Sequence, residues 1–161
     1  MMASKLYSCL LVTSLLALAA AARDANAQSK SCSLMTQQTA AGIFGGPVAA
    51  GRVEMATAGA DDCRFDAPNG GFAEIGIIDP KGMGISGAEM FKITTSQKNP
   101  GRTIQQVPGL GDAAVIDKGA NDTSLSVLVH GKILMVTATQ AKNPGLSDAL
   151  IAAAKQALGK V

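Results

Sequence analysis

The sequence predicts the α+β class: an antiparallel sheet with helices on one of its faces, in the order α-βββ-α-(β)βββ-α, with a weak internal duplication suggested by that rhythm. Three observations carry the expectation. Ser124 to Ala138 alternates in residue character with period two and breaks at His130-Gly131-Lys132, the pattern of a β-hairpin rich in β-branched residues. Leu146, Leu150, Ile151, Ala154 and Leu158 place one apolar stripe along a C-terminal helix. Hairpin-type connections between consecutive strands favour an antiparallel sheet, and helices gathered on one face bury its apolar side.

The chain begins with a segment expected to lie outside the fold. Lys5 supplies a positive n-region, Leu10 to Ala22 is a run of Leu, Ala and small residues, and Ala25-Asn26-Ala27 offers a small-x-small cleavage site. Residues 1–27 therefore read as a signal peptide cut after Ala27, with Ala22 as the alternative. The apolar run is too short to cross a bilayer, and no later segment is long or apolar enough to do so. The expected location is the periplasm or the medium, and residues 28–161 are expected to form a single α+β domain.

Cys32-Ser33-Leu34 leads into a first helix over Thr36 to Phe44, capped by Ser33 or Thr36 and stopped by Gly45-Gly46-Pro47. Val48 to Ala58 reads as a weakly patterned strand, Gly59 to Asp62 as a turn, Cys63 to Ala67 as a second strand and Phe72 to Asp79 as a third. Pro80 to Gly84 is a loop. Ser86 and Glu89 have capping-box spacing, so a second helix runs from there to about Gln97 and ends before Asn99-Pro100-Gly101. Thr103 to Val107 is a short strand and Ala113 to Asp117 another. Between them Pro108, Gly109, Gly111 and Asp112 make a structural turn, the glycines permitting positive φ and the Asp carboxylate capping local N–H groups.

In the hairpin, Leu125, Val127, Val129, Leu134, Val136 and Ala138 share a wholly apolar face, whichever two-residue loop closes it. The final helix should cover that face, starting at Ser147 and stopping at Gly159. The opposite face carries Ser126, Leu128, His130, Ile133, Met135 and Thr137 and is mixed, so it is expected to be half wetted or covered by a loop. Ser126, Leu128, His130 and Ile133 are the candidate interaction surface.

Composition narrows the function. Residues 28–161 carry 12 Lys and Arg against 11 Asp and Glu, with no block of like charge, which argues against nucleic acid and gives anionic membranes no handle. Beyond residue 27 there is no Tyr or Trp, and Phe44, Phe65, Phe72 and Phe91 all stand at core positions. Carbohydrate and single-stranded nucleic acid are disfavoured as partners. Cys32 and Cys63 remain after cleavage, an even pair in an oxidising compartment whose default state is one disulfide.

Each candidate for chemistry has a plainer reading beside it. His130 is the only His, so a hydrolase-type site would have to join it to Asp112 and a loop Ser. Met35, Met55, Met83, Met90 and Met135 with His130 could hold copper(I), but no clustered Met motif exists and Met commonly fills core gaps. Gly109-Leu110-Gly111-Asp112 lacks the third Gly, the Lys and the helix of a phosphate loop. Asp61-Asp62 falls in the expected turn and reads as solvated.

Cys32-Ser33-Leu34, Gly45-Gly46-Pro47-Val48, Cys63-Arg64-Phe65, Val107 to Ala114, the hairpin and the Ala/Leu-rich last helix together resemble small exported bacterial domains of unknown function, many of which look like envelope lipoproteins. This chain lacks the lipidation box of that pattern. The resemblance implies a structural scaffold and carries no activity or catalytic residue. The leading expectation is an exported, non-enzymatic module without a cofactor, binding a protein partner or a small apolar ligand. A hydrolase using His130 and Asp112, or a copper-binding protein, is the alternative.

Overall fold

The computed structural model describes residues 29–96 and 100–161, so the expected signal peptide lies outside the described residues. The chain is α+β. Two helices open it, α1 (Lys30–Leu34) and α2 (Gln37–Phe44), followed by strands β1 (Arg52–Ala56), β2 (Ala60–Asp66) and β3 (Phe72–Ile78). A 3-10 turn at Pro80–Met83 and helix α3 (Gly87–Ser96) lead to β4 (Thr103–Gln106), β5 (Ala113–Lys118), β6 (Asp122–Val129), β7 (Lys132–Thr139) and the last helix α4 (Leu146–Leu158). The expected order counted a single helix ahead of the first strands, whereas the chain forms two.

All seven strands join one antiparallel sheet in the order β1-β2-β3-β7-β6-β5-β4. Two meanders, β1 to β3 and β4 to β7, meet at the central β3–β7 pair. Residues Cys63, Phe65, Ala73, Ile75, Ile77, Leu125, Val127, Leu134, Val136 and Ala138 point to one face, where they form the main core with α1, α2 and α4. Every second residue along a strand lands there, which is why the apolar hairpin face was readable from alternation alone.

The other face corrects the expectation that all helices gather on one side. There α3 crosses from β3 at the sheet centre to β4 at its edge, and Phe91 packs on Val115 and Ile133, flanked by Ile78, Met90, Ala113, Leu128 and Met135. The hairpin's mixed face is thus covered by a helix and not by a loop. This placement also tells against a duplication. The two meanders could be exchanged only by an axis normal to the sheet, which would keep each helix on its own face, yet α3 and α4 follow their meanders on opposite faces.

Local chemistry sets the boundaries. Thr36 accepts a hydrogen bond from the Thr39 N–H at 3.1 Å to start α2, and Gly45, in the left-handed region at φ 80°, ends it. Ser86 and Glu89 form the expected capping box at the start of α3: Ser86 Oγ accepts from the Glu89 N–H at 3.2 Å, and Glu89 Oε2 accepts from the Ser86 N–H at 2.8 Å. The cap expected of Ser147 is not used, because Gly145 holds the N-cap position of α4 without a side-chain bond. Asn143 does the work nearby. Its Oδ1 accepts from the Gly145 N–H at 2.8 Å while its Nδ2 donates to the Gly42 carbonyl at 2.8 Å, tying the start of α4 to the end of α2.

Cys32 and Cys63 are joined by a disulfide with a Cα–Cα separation of 4.9 Å. It fastens α1 to β2. Beside it, Asp61 accepts hydrogen bonds from the Ser29 hydroxyl and, at 3.1 Å, from the Ser31 N–H, while its carbonyl accepts from the Ser31 hydroxyl. Asp61 and Asp62 lie inside β2 and not in a turn, so the expectation of two solvated carboxylates is corrected for both.

Candidate functional site

The second face of the sheet holds the arrangement most suited to binding. The hairpin turns through His130-Gly131, with Val129 paired to Lys132 and both loop residues at positive φ (49° and 76°), the geometry of a tight two-residue turn. Against this turn lies the Pro108 to Asp112 loop. Gly109 and Gly111 take φ values of 75° and 62°, as their positions in the turn required. Asp112 Oδ2 accepts from the His130 N–H at 3.1 Å, and the Asp112 N–H donates to the Leu128 carbonyl at 2.8 Å. The Asp carboxylate therefore caps the hairpin tip across the fold, not the local N–H groups expected of it.

Leu110 of this loop is buried in the main core, 3% exposed. The loop borders a half-open cavity of about 250 Å³ beside Phe91, lined also by Val107, Pro108, Ala113, Val115, Gln106 and Asp112. On the other side of Val115 a second cavity of about 130 Å³ runs between the end of α3 and the sheet, lined by Thr94, Thr95, Ile104, Asp117, Ser124, Ser126 and Met135. The two share Val115 and together make a cleft along α3.

Charge is neutralised around the second cavity. Arg102 Nε donates to both Asp117 oxygens at 2.9 and 2.8 Å, and its Nη1 and Nη2 donate to Asp122 at 3.1 and 2.8 Å. The bonds to Asp122 and then Asp117 push the guanidinium further above its already high range, so it stays charged. The hydroxyls of Thr94 and Thr95 are committed to carbonyls of their own helix, at 3.0 Å and 2.7 Å to Phe91. What faces the two cavities is a mixed wall: apolar groups from Phe91, Val107, Pro108 and Val115, with Gln106 and Asp112 at one end and hydroxyls at the other.

The structure divides the candidate interaction surface. His130 is exposed on the turn, Ser126 lines the smaller cavity, and Leu128 is half-buried beside Phe91. Ile133 is 0% exposed beneath α3 and is corrected from surface to core. Asp112 and His130 do meet, but the carboxylate engages the backbone N–H. Of the methionines, Met35 is buried in the main core, Met90 and Met135 pack around Phe91, and Met55 and Met83 are exposed. Phe91 was read in sequence only as a core residue and Thr95 not at all, since a capping box announces a helix without saying what it covers.

A polar patch occupies the rest of this face. Asp66 accepts from Arg52 Nε at 2.8 Å and Arg64 Nε at 2.7 Å, bonds that hold its carboxyl below the usual range, those from Arg52 being the stronger cause. Asp62 and Glu74 are shifted the other way, chiefly by partial burial, with Asp61 adding to the first and Asp62 to the second. A carboxyl whose folded pKa is raised opposes folding once ionised, and that opposition fades as pH falls through its folded pKa. The double variant Asp62→Asn, Glu74→Gln should thus unfold at higher urea than the parent near pH 7. The gain should shrink as pH falls and vanish only below about pH 3, under the ordinary carboxylate range, where both groups are protonated in the folded and the unfolded chain alike. An equal gain at both pH values would rule out the electrostatic origin.

No protein-family model, curated protein or solved structure matches this chain.

Proposed function

We propose that the chain is an exported, non-enzymatic binding module that takes an apolar side chain of a protein partner, or an apolar molecule of similar size, into the cleft beside α3. One observation carries the reading: the cavity of about 250 Å³ between Phe91 and the Pro108 to Asp112 loop, a loop that Asp112 ties to the hairpin by two hydrogen bonds. Pockets for larger ligands usually measure some 300–1,000 Å³, so this one suits a single anchoring group. A wall that is already formed loses little ordering entropy on binding.

The disulfide supports export, since such bonds persist in oxidising compartments, and so does the small-x-small segment ending at Ala27. The hydrolase reading draws less support, because Asp112 is occupied with the hairpin backbone while the His130 side chain is exposed. Copper binding likewise loses Met90 and Met135 to packing around Phe91.

The test begins with native mass spectrometry of the protein taken from its own envelope or medium, beside a denatured run. A bound mass or cross-linked partner should be lost from Ala113→Phe, which fills the cavity, and from Pro108→Asp, which charges its mouth. The affinity loss expected is at least about tenfold, the equivalent of roughly 1.4 kcal/mol. Full retention by both folded variants would place binding elsewhere.

A further inference from the structure

Among the described residues both ends of the sheet, β1 and β4, lack an outer partner strand, and they are built differently. Strand β1 carries Arg52 and Glu54, which pair with each other and, through Arg52, with Asp66, and its register is broken by a bulge between Val53 and Met55. Charges and bulges are the ordinary means of keeping an edge from pairing with another chain. Strand β4 has neither. It reads Thr-Ile-Gln-Gln, all four residues are exposed, Ile104 by 40%, and its register with β5 runs without interruption.

The backbone of β4 says which groups look outward. The Val107 N–H bonds to the Ala114 carbonyl, so Val107, Gln105 and Thr103 direct their peptide groups to β5. Ile104 and Gln106 direct theirs away from the sheet. We propose that β4 pairs antiparallel with β4 of a second copy of this chain, about a two-fold axis at Gln105. Ile104 of one copy then exchanges both hydrogen bonds with Gln106 of the other, and the two Gln105 side chains lie opposite each other in the non-bonded position. No charge on the strand opposes its copy. The two Ile104 side chains sit diagonally across the axis, within reach of each other.

Four residues per strand bury less than the roughly 1,200 Å² of a stable interface, so the pairing is reversible and concentration-dependent. Sedimentation equilibrium between about 10 µM and about 1 mM should show the mass rising from one copy toward two, a span that covers weak association. Hydrogen exchange gives the register. The Gln105 amide should be protected at every concentration, while those of Ile104 and Gln106 gain protection only at the high end. Gln106→Pro, which removes an outward donor, and Ile104→Lys, which places like charges across the axis, should both remain single copies throughout.

Should the Pro variant not fold, Ile104→Lys decides alone, because it leaves the β5 ladder untouched. A parent chain that stays single at about 1 mM overturns the proposal, as does a dimer that survives Ile104→Lys. Protection of Ile104 and Gln106 that arises only when another protein is added would equally overturn it. These readouts do not depend on whether the cleft beside α3 binds anything.

Discussion

Replacing Cys32 and Cys63 together by Ala is expected to lower the unfolding free energy by about 4 kcal/mol, on the chain-entropy account of a cross-link closing a loop of 31 residues. A domain of this size has roughly 5–15 kcal/mol in all, so the loss is a large share of it. The effect should also be local in origin. Helix α1 has only five residues, too few to persist by its own hydrogen bonds, and is held by the disulfide and by Asp61. Hydrogen exchange should therefore show residues 30–34 opening first in the double variant, ahead of β2. Urea unfolding measures the total, and a loss below about 1 kcal/mol would mean that the serine contacts with Asp61 fasten the segment without the cross-link.

A charge at Ile133 should do as much damage or more. Ile133 is 0% exposed and packs with Phe91 and Val115, so the Lys of Ile133→Lys would place its charge among apolar side chains. An unpaired buried charge belongs to the small group of substitutions that cost more than about 4 kcal/mol. Ser126→Lys, two positions from Leu128 on the same face, should change stability by no more than about 1 kcal/mol because its side chain opens onto the smaller cavity. The contrast separates a residue that builds the cleft from one that lines it. If Ile133→Lys unfolded at the parent's urea midpoint, α3 would not be packed where we describe it.

Much of the fold could be read from period and punctuation. The hairpin was visible because alternation and a single Gly act within a dozen residues, and Ser86 with Glu89 marked the start of α3 for the same reason. What escaped depends on distant parts of the chain. Helix α1 has no apolar period to reveal it, since its hold on the domain comes from Asp61 and Cys63. Asp61-Asp62 next to Gly59 has the composition of a turn, and only the pairing of β2 with β3 makes it strand. The face chosen by α3 is decided by where β4 must go. In the candidate site, the Pro108 to Asp112 turn was legible from its residues. Its attachment to His130 was not, because that bond uses a backbone group which every residue but Pro possesses.

The position of β7 has a consequence for the way the molecule comes into being. Of the seven strands it is the latest in the chain, and the sheet closes around it, between β3 and β6, with partners in β3 roughly sixty residues earlier. Until it arrives, β3 is paired to β2 along one edge only, and the edge that β7 will take stays open. Long-range pairing of this kind slows folding and leaves sticky intermediates in the interval. The newborn chain would need shelter from its neighbours until β7 is free to pair.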